Sequence, residues 1–189
     1  MKKIIGITGG FGVGKSTVCK FFEKLEAEWI EADKIVHRLY EPKGIGYKKI
    51  KEYFGDSYVN KRGVNRDKLR KIVLGNARKL EMLNKLIHPL VANELGKIIR
   101  RGKKGIFVIE SIYFGKNDFG KLVNKIILVR RNARLVEKSR KGEWRTEDIE
   151  KFIKLPLVFP KADFTMENNG SLAALNKRVA EVYADLVDL

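Results

Sequence analysis

The run KKIIGIT at residues 2–8 is apolar, β-branched and of strand length. It ends in the cluster GGFGVGKS, after which TVCKFFEKL places Val18, Phe21, Phe22 and Leu25 at helical spacing. Strand, loop and helix are predicted in that order. A second short strand is predicted to end near WIEAD, residues 29–33. From Lys34 to Arg101 the apolar period turns helical. Leu69, Ile72 and Val73 fit one face, as do Leu80, Leu83, Leu86 and Ile87, then Leu95, Ile98 and Ile99, and Pro89 is expected to break the run.

Farther along, GIFVIES and KIILV are nearly continuous apolar runs, as in strands covered on both faces of a parallel sheet. ADFTMEN supplies a fifth strand. Ser171 can cap a last helix whose Leu172, Leu175, Val179, Val182 and Leu186 form an apolar stripe. Strands separated by helices predict an α/β doubly wound fold: a five-stranded parallel sheet flanked by helices. No repeat or low-complexity linker interrupts the 189 residues, so one domain is expected. Its core would comprise 1–33, 103–130 and 160–189, with a helical region, 34–102, inserted after the second strand.

Composition narrows the setting. A hydrophobic content of 44% supports one buried core, and no apolar run approaches the ~20 residues of a membrane span. The start MKKIIGITGG passes directly into the glycine cluster instead of a cleavable signal, so a cytoplasmic location is expected. Cys19, the one cysteine, cannot form an internal disulfide and is expected to be a small packing residue. Lys and Arg number 40 against 23 Asp and Glu, giving a net charge of +17, which favours polyanionic partners. The basic residues are interspersed with acids, so a solvated, lysine-rich surface accounts for the same numbers.

The glycine cluster carries the chemistry. Gly9 to Ser16 satisfies G-x-x-x-x-G-K-[ST], between a predicted strand and a predicted helix as that motif requires. Backbone N–H groups from Gly10, Phe11, Gly12, Val13 and Gly14 can wrap a phosphate, and the following helix adds the positive end of its dipole. Lys15 is expected to reach the β- and γ-phosphates, Ser16 to ligate Mg²⁺, and Thr17 to contact the α-phosphate of ATP. Kinases, GTPases, motor ATPases and translocases share such a cradle. Past the second strand, Glu31 and Asp33 lie at the carboxyl edge where ligands bind in open α/β sheets. A carboxylate there can take the proton of an attacking hydroxyl, although a solvent-facing loop acid would show the same pattern.

The segments GITGGFGVGKSTV, EADKIVHRL, YFGDSYVNKRGVNRDKLRKIVL, LNKLIHPLV and ADFTMENNGSLAAL together resemble the dephospho-CoA kinase family in order and spacing. That resemblance implies a P-loop kinase fold and transfer of a phosphoryl group from ATP to the ribose 3′-hydroxyl of dephospho-CoA. It makes Asp33 the general base and places Glu31 where the family has aspartate. His37, Arg66, Asn84 and His88 become acceptor-binding positions, with fixing of a helix break before Pro89 as the other reading of His88. Asn168 and Asn169 match the base-proximal loop, although Asn-Asn-Gly is also turn chemistry. Glu110, where the family typically has aspartate, is placed to hold a magnesium-bound water or to orient Ser16, or simply ends its strand.

The resemblance also implies a lid at 131–159. Arg130, Arg134 and Lys138 recur every four residues and would line one helical face, and Arg134 and Arg140 match arginines that close over the phosphates. Lys154 stands where the family usually has glutamine. A monomer or weak homo-oligomer is expected. Nucleic acid is not expected as a partner, since no nucleic-acid-reading motif accompanies the charge. Two alternatives remain: a kinase for another small acceptor, or a basic P-loop ATPase acting on nucleic acid.

Overall fold

A computed structural model of the chain describes residues 2–112, 114, 120–139 and 161–188. It divides into two compact units, Met1–Glu31 with Arg101–Leu189, and Ala32–Arg100.

The first unit is built on five parallel strands: β1 (Lys3–Thr8), β2 (Glu28–Glu31), β5 (Ile106–Glu110), β6 (Lys125–Arg130) and β7 (Phe164–Glu167). Their spatial order is β2-β5-β1-β6-β7, so the five-stranded parallel sheet of the sequence reading is observed. Ile106 to Ile109 of β5 are all buried, which explains the unbroken apolar run of an interior strand. Helix α1 (Lys15–Lys24) and the last helix, α7 (Leu172–Asp188), pack against each other and against the sheet. Val18 and Phe22 from α1 meet Val179 and Val182 from α7 in a core with Ile5 and Val129. Cys19 is fully buried there, so the packing role is its place in the structure.

Ser171 caps α7 as expected, its Oγ accepting from Ala174 N at 3.2 Å. The apolar stripe of α7 is shorter than expected. Leu175, Val179, Val182 and Leu186 are buried, but Leu172 is 65% exposed. Helical side chains lean toward the N-terminus, so that of the first residue points off the helix end.

The second unit carries α2 (Ala32–Leu39), α3 (Ile45–Phe54), α4 (Arg66–Leu74) and α5 (Ala77–Arg101), the last residue of α5 belonging to the first unit. Asn65 caps α4 and Asn76 caps α5, each accepting through Oδ1 from the backbone N–H three residues on. Pro89 breaks nothing: α5 runs unbroken through it for 25 residues. One proline removes a single helical hydrogen bond, and the apolar stripe containing Leu86, Ile87, Val91 and Leu95 stays buried on both sides of it. A small antiparallel hairpin, β3 (Val59–Asn60) with β4 (Gly63–Val64), escapes the sequence reading because strands of two residues show no periodicity. No described helix is long and apolar enough to cross a membrane.

Candidate active site

In the first unit, the loop after β1 begins at Gly9 with φ +148°, where a side chain would run into the carbonyl of Val129 on β6. Val13 is sunk into the core at 7% exposure and anchors the middle of the loop. Gly14, at φ +98°, turns the chain into α1, and its carbonyl accepts from Thr17 N and Val18 N. The first N–H groups of α1 have no intrahelical carbonyl to bond, so they and the helix dipole form an anion site by construction. Phe11 and Thr17 are half-buried on either side of this turn.

Lys15 is 9% exposed, and its Nζ donates to the carbonyls of Gly10 at 3.0 Å and Gly9 at 3.3 Å. Its ammonium is thereby held across the loop. Ser16 is exposed, and its Oγ donates to Glu110 Oε1 at 2.7 Å. Glu110 ends β5 in register with Glu31 at the end of β2 and Ile7 near the end of β1. Two carboxylates therefore stand on neighbouring strand ends, one of them bonded to the serine that follows the lysine. Burial pushes the Cys19 thiol well up from its ordinary value, and the nearby charge of Glu110 adds to the shift, so Cys19 offers no thiolate nucleophile.

Asn168 follows β7 and is 8% exposed. Its Nδ2 donates to the carbonyl of Val13 at 2.8 Å, while its backbone N donates to Arg130 O at 2.8 Å. Asn169 is exposed and bonds elsewhere: its Oδ1 accepts from Asn132 N at 2.8 Å, and Asn132 Oδ1 accepts from Arg134 N at 3.0 Å. Asn132 thus caps α6 (Ala133–Ser139), which carries Arg134, exposed, in its first turn. The shared helical face expected for Arg130, Arg134 and Lys138 does not form. Arg130 is the last residue of β6, held there by parallel pairing with Glu167. Arg140 and Lys154 lie outside the described residues, as does most of 131–159.

In the second unit, Asp33 occupies the first turn of α2 and His37 lies one turn later, both exposed. Arg66 opens α4, and its Nη1 lies 3.2 Å from His37 Nδ1. A guanidinium only donates, so Nδ1 accepts and the imidazole proton sits on Nε2. Partial burial lowers the His37 pKa, the Arg66 charge lowers it further, and Asp33 opposes both. Asn84 and His88 lie one helical turn apart on α5, both half-buried. Because α5 does not end at Pro89, His88 has no helix break to fix.

Sequence reasoning placed the glycine loop between a strand and a helix, where the structure has it. It missed what Asn168 does, since a bond spanning 155 positions leaves no local trace. It also missed the pairing of His37 with Arg66, which depends on how α2 and α4 meet.

A family model described as dephospho-CoA kinase matches residues 3–173. A dephospho-CoA kinase of Aquifex aeolicus is 30% identical over 97% of each chain. One from Dehalococcoides mccartyi is 39% identical over 131 residues, 67% of this chain and 66% of the other. Among solved structures, TT1252 of Thermus thermophilus superposes with a TM-score of 0.78 at 26% identity over 98% of each chain. Dephospho-CoA kinase from Campylobacter jejuni, at 24% identity over 98% of each chain, gives 0.64 and supports the fold. With a phosphate loop of this construction and a match across nearly its whole length, the chain belongs to the dephospho-CoA kinase family and is an ATP-dependent kinase.

Proposed function

We propose that the protein transfers the γ-phosphoryl group of ATP to the ribose 3′-hydroxyl of dephospho-CoA, giving coenzyme A and ADP, the last step of coenzyme A synthesis. The observation that carries this reading is the Gly9–Ser16 loop with Lys15 drawn across it and Ser16 bonded to Glu110, in a chain of this family. The backbone of Gly10 to Gly14 cradles the polyphosphate, and Thr17 meets the α-phosphate. Lys15 neutralises charge building on the transferring group.

The oxygens of Ser16 and Glu110, 2.7 Å apart, are the hard donors that Mg²⁺ prefers. Ser16 would hold the ion directly and Glu110 through a water. The ion supplies charge neutralisation across the β- and γ-phosphates. Asp33 accepts the proton of the acceptor hydroxyl. His37, Arg66, Asn84 and His88 bind the acceptor, with Arg66 turned by its bond to His37. Arg134 adds guanidinium charge to the phosphates, and Arg140, which lies outside the described residues, is assigned the same part. Asn168 belongs to the nucleotide site as well. The cytoplasm is the compartment this reading assigns.

The test is ADP formation with ATP and Mg²⁺, with and without dephospho-CoA. ADP release should depend on dephospho-CoA and disappear in Lys15→Ala. Asp33→Asn should keep ATP binding while kcat falls by about 10²–10⁴. ADP release indifferent to dephospho-CoA would overturn the acceptor assignment. A panel of nucleosides and nucleotides, then nucleic acid, would follow.

A further inference from the structure

We propose that Asn168 is a positioning residue for phosphate binding: its carboxamide sets the shape of the phosphate loop from beneath, through the Val13 carbonyl. The inference rests on the phosphate-binding reading of that loop. Thr8, Lys15 and Asn168 are the buried polar side chains among the described residues. A buried amide of this kind is retained against its desolvation cost by the bonds it makes.

The base of Asn168 is fixed, because its backbone N–H completes the pairing of β7 with β6 at Arg130 O. From there Nδ2 reaches Val13 O at 2.8 Å. The peptide joining Val13 to Gly14 is planar and trans, so its C=O and its N–H point in opposite directions. Holding the carbonyl against Asn168 therefore turns the Gly14 N–H the other way, to the side where an anion would lie. Gly14 leaves room for this arrangement: the first atom that a side chain at 14 would strike is Asn168 Nδ2. An aspartate in place of Asn168 has the same shape but, when ionised, no hydrogen to donate, and it would set a negative charge against a carbonyl. A residue whose amide is committed to the loop acts on the phosphates of any nucleotide alike, whereas a contact to the base would discriminate among nucleotides.

The experiment measures binding of Mg²⁺-tripolyphosphate, ATP and GTP to the unmutated chain, Asn168→Asp and Asn168→Ala by calorimetry between pH 5.5 and 8.5. Each variant is compared with the unmutated chain at the same pH. That ratio removes titrations common to both, and the charged groups on the surrounding elements are Lys15, Lys20, Glu23 and Lys24 of α1, Lys125 and Arg130 of β6, and Glu167 of β7. At pH 8 both variants should bind all three ligands about tenfold or more weakly, leaving the ATP to GTP ratio unchanged. The Asn168→Asp deficit should shrink as pH falls and the introduced carboxyl gains a proton to donate. The Asn168→Ala deficit should not shrink.

Weakened ATP binding with tripolyphosphate affinity intact would overturn the proposal in favour of a base contact. If the unmutated chain fails to bind tripolyphosphate, the reading of the loop itself fails, which is a different result. Should the variants not fold, the unmutated chain labelled with ¹⁵N-asparagine still decides. Its Asn168 Nδ2 protons should exchange slowly with solvent, and exchange as fast as that of an exposed amide would refute the bond.

Discussion

Gly14→Ala adds one carbon where two separate penalties meet. The first is in the backbone, since φ at 14 is +98° and an alanine held in a left-handed conformation costs about 1–2 kcal/mol. The second arises because the new methyl strikes Asn168 Nδ2. Displacing that amide leaves the Val13 carbonyl without its donor, at a cost of about 1–3 kcal/mol. The sum is about 2–5 kcal/mol, and at ~2–4 °C per kcal/mol for a chain of this size the midpoint of that range lowers Tm by about 7–14 °C.

Only the second penalty involves position 168, so a double-mutant cycle separates the two. In an Asn168→Ala background the collision is gone and the bond already lost. There Gly14→Ala should cost only the backbone share, about 1–2 kcal/mol. The double variant should therefore be more stable than the sum of the single losses predicts, by about 1–3 kcal/mol. Urea unfolding of the four proteins, with slopes compared so that changes in the unfolded state are seen, gives the numbers. Losses that add within about 0.5 kcal/mol would refute the reasoning, because they would mean that the methyl and the amide do not compete for the same space.

Three further outcomes follow from the geometry. His37 has a pKa below its ordinary 6.5, because of burial and then Arg66, so the unfolded chain takes up this proton first as pH falls. Its contribution to stability is complete above about pH 6.5 and is lost as pH drops from there through the lowered folded value; His37→Gln should flatten the decline between pH 7 and 5 in urea unfolding, and an unchanged slope would refute this. Glu110→Gln removes the charged acceptor of Ser16, so the Mg²⁺ concentration for half-maximal ADP formation should rise about 10–100-fold while nucleotide affinity without Mg²⁺ stays the same; no shift would remove Glu110 from the ion's surroundings. Pro89→Ala restores an N–H at an exposed position inside α5 and should raise stability by up to about 3 kcal/mol in urea titration, whereas a loss would mean that the proline is needed for packing.

The parts of this protein legible in its sequence are those set by local rules. The phosphate loop is read from glycines, a lysine and a hydroxyl at fixed offsets, and each buried strand from a short apolar run. Pro89 misled because the rule for proline concerns one hydrogen bond, whereas the fate of α5 was decided by a buried stripe extending on both sides of it. Arg130 misled because a four-residue spacing says nothing about where a helix begins, and the pairing of β6 with β7 holds Arg130 in the sheet. Leu172 fits the period of α7 and is exposed because it stands at the helix end. His37 and Arg66 were each visible as candidates, but their contact depends on how two helices meet, which no periodicity specifies.

The tandem asparagines after β7 carry this contrast into the first unit. Asn168 turns inward to Val13 and Asn169 outward to Asn132. The inward bond fixes the carbonyl next to Gly14. The outward bond fixes Asn132, whose own side chain caps α6 at Arg134 N. One dipeptide therefore sets both the shape of the phosphate loop and the starting point of the helix that carries Arg134. A shift of this turn would be felt at both places together, because each rests on it through a single hydrogen-bonded step. In the sequence the same dipeptide reads as ordinary turn chemistry before Gly170. Its second use becomes visible only when the ends of β6 and β7 are brought beside the loop after β1, a juxtaposition specified by the parallel order of the sheet.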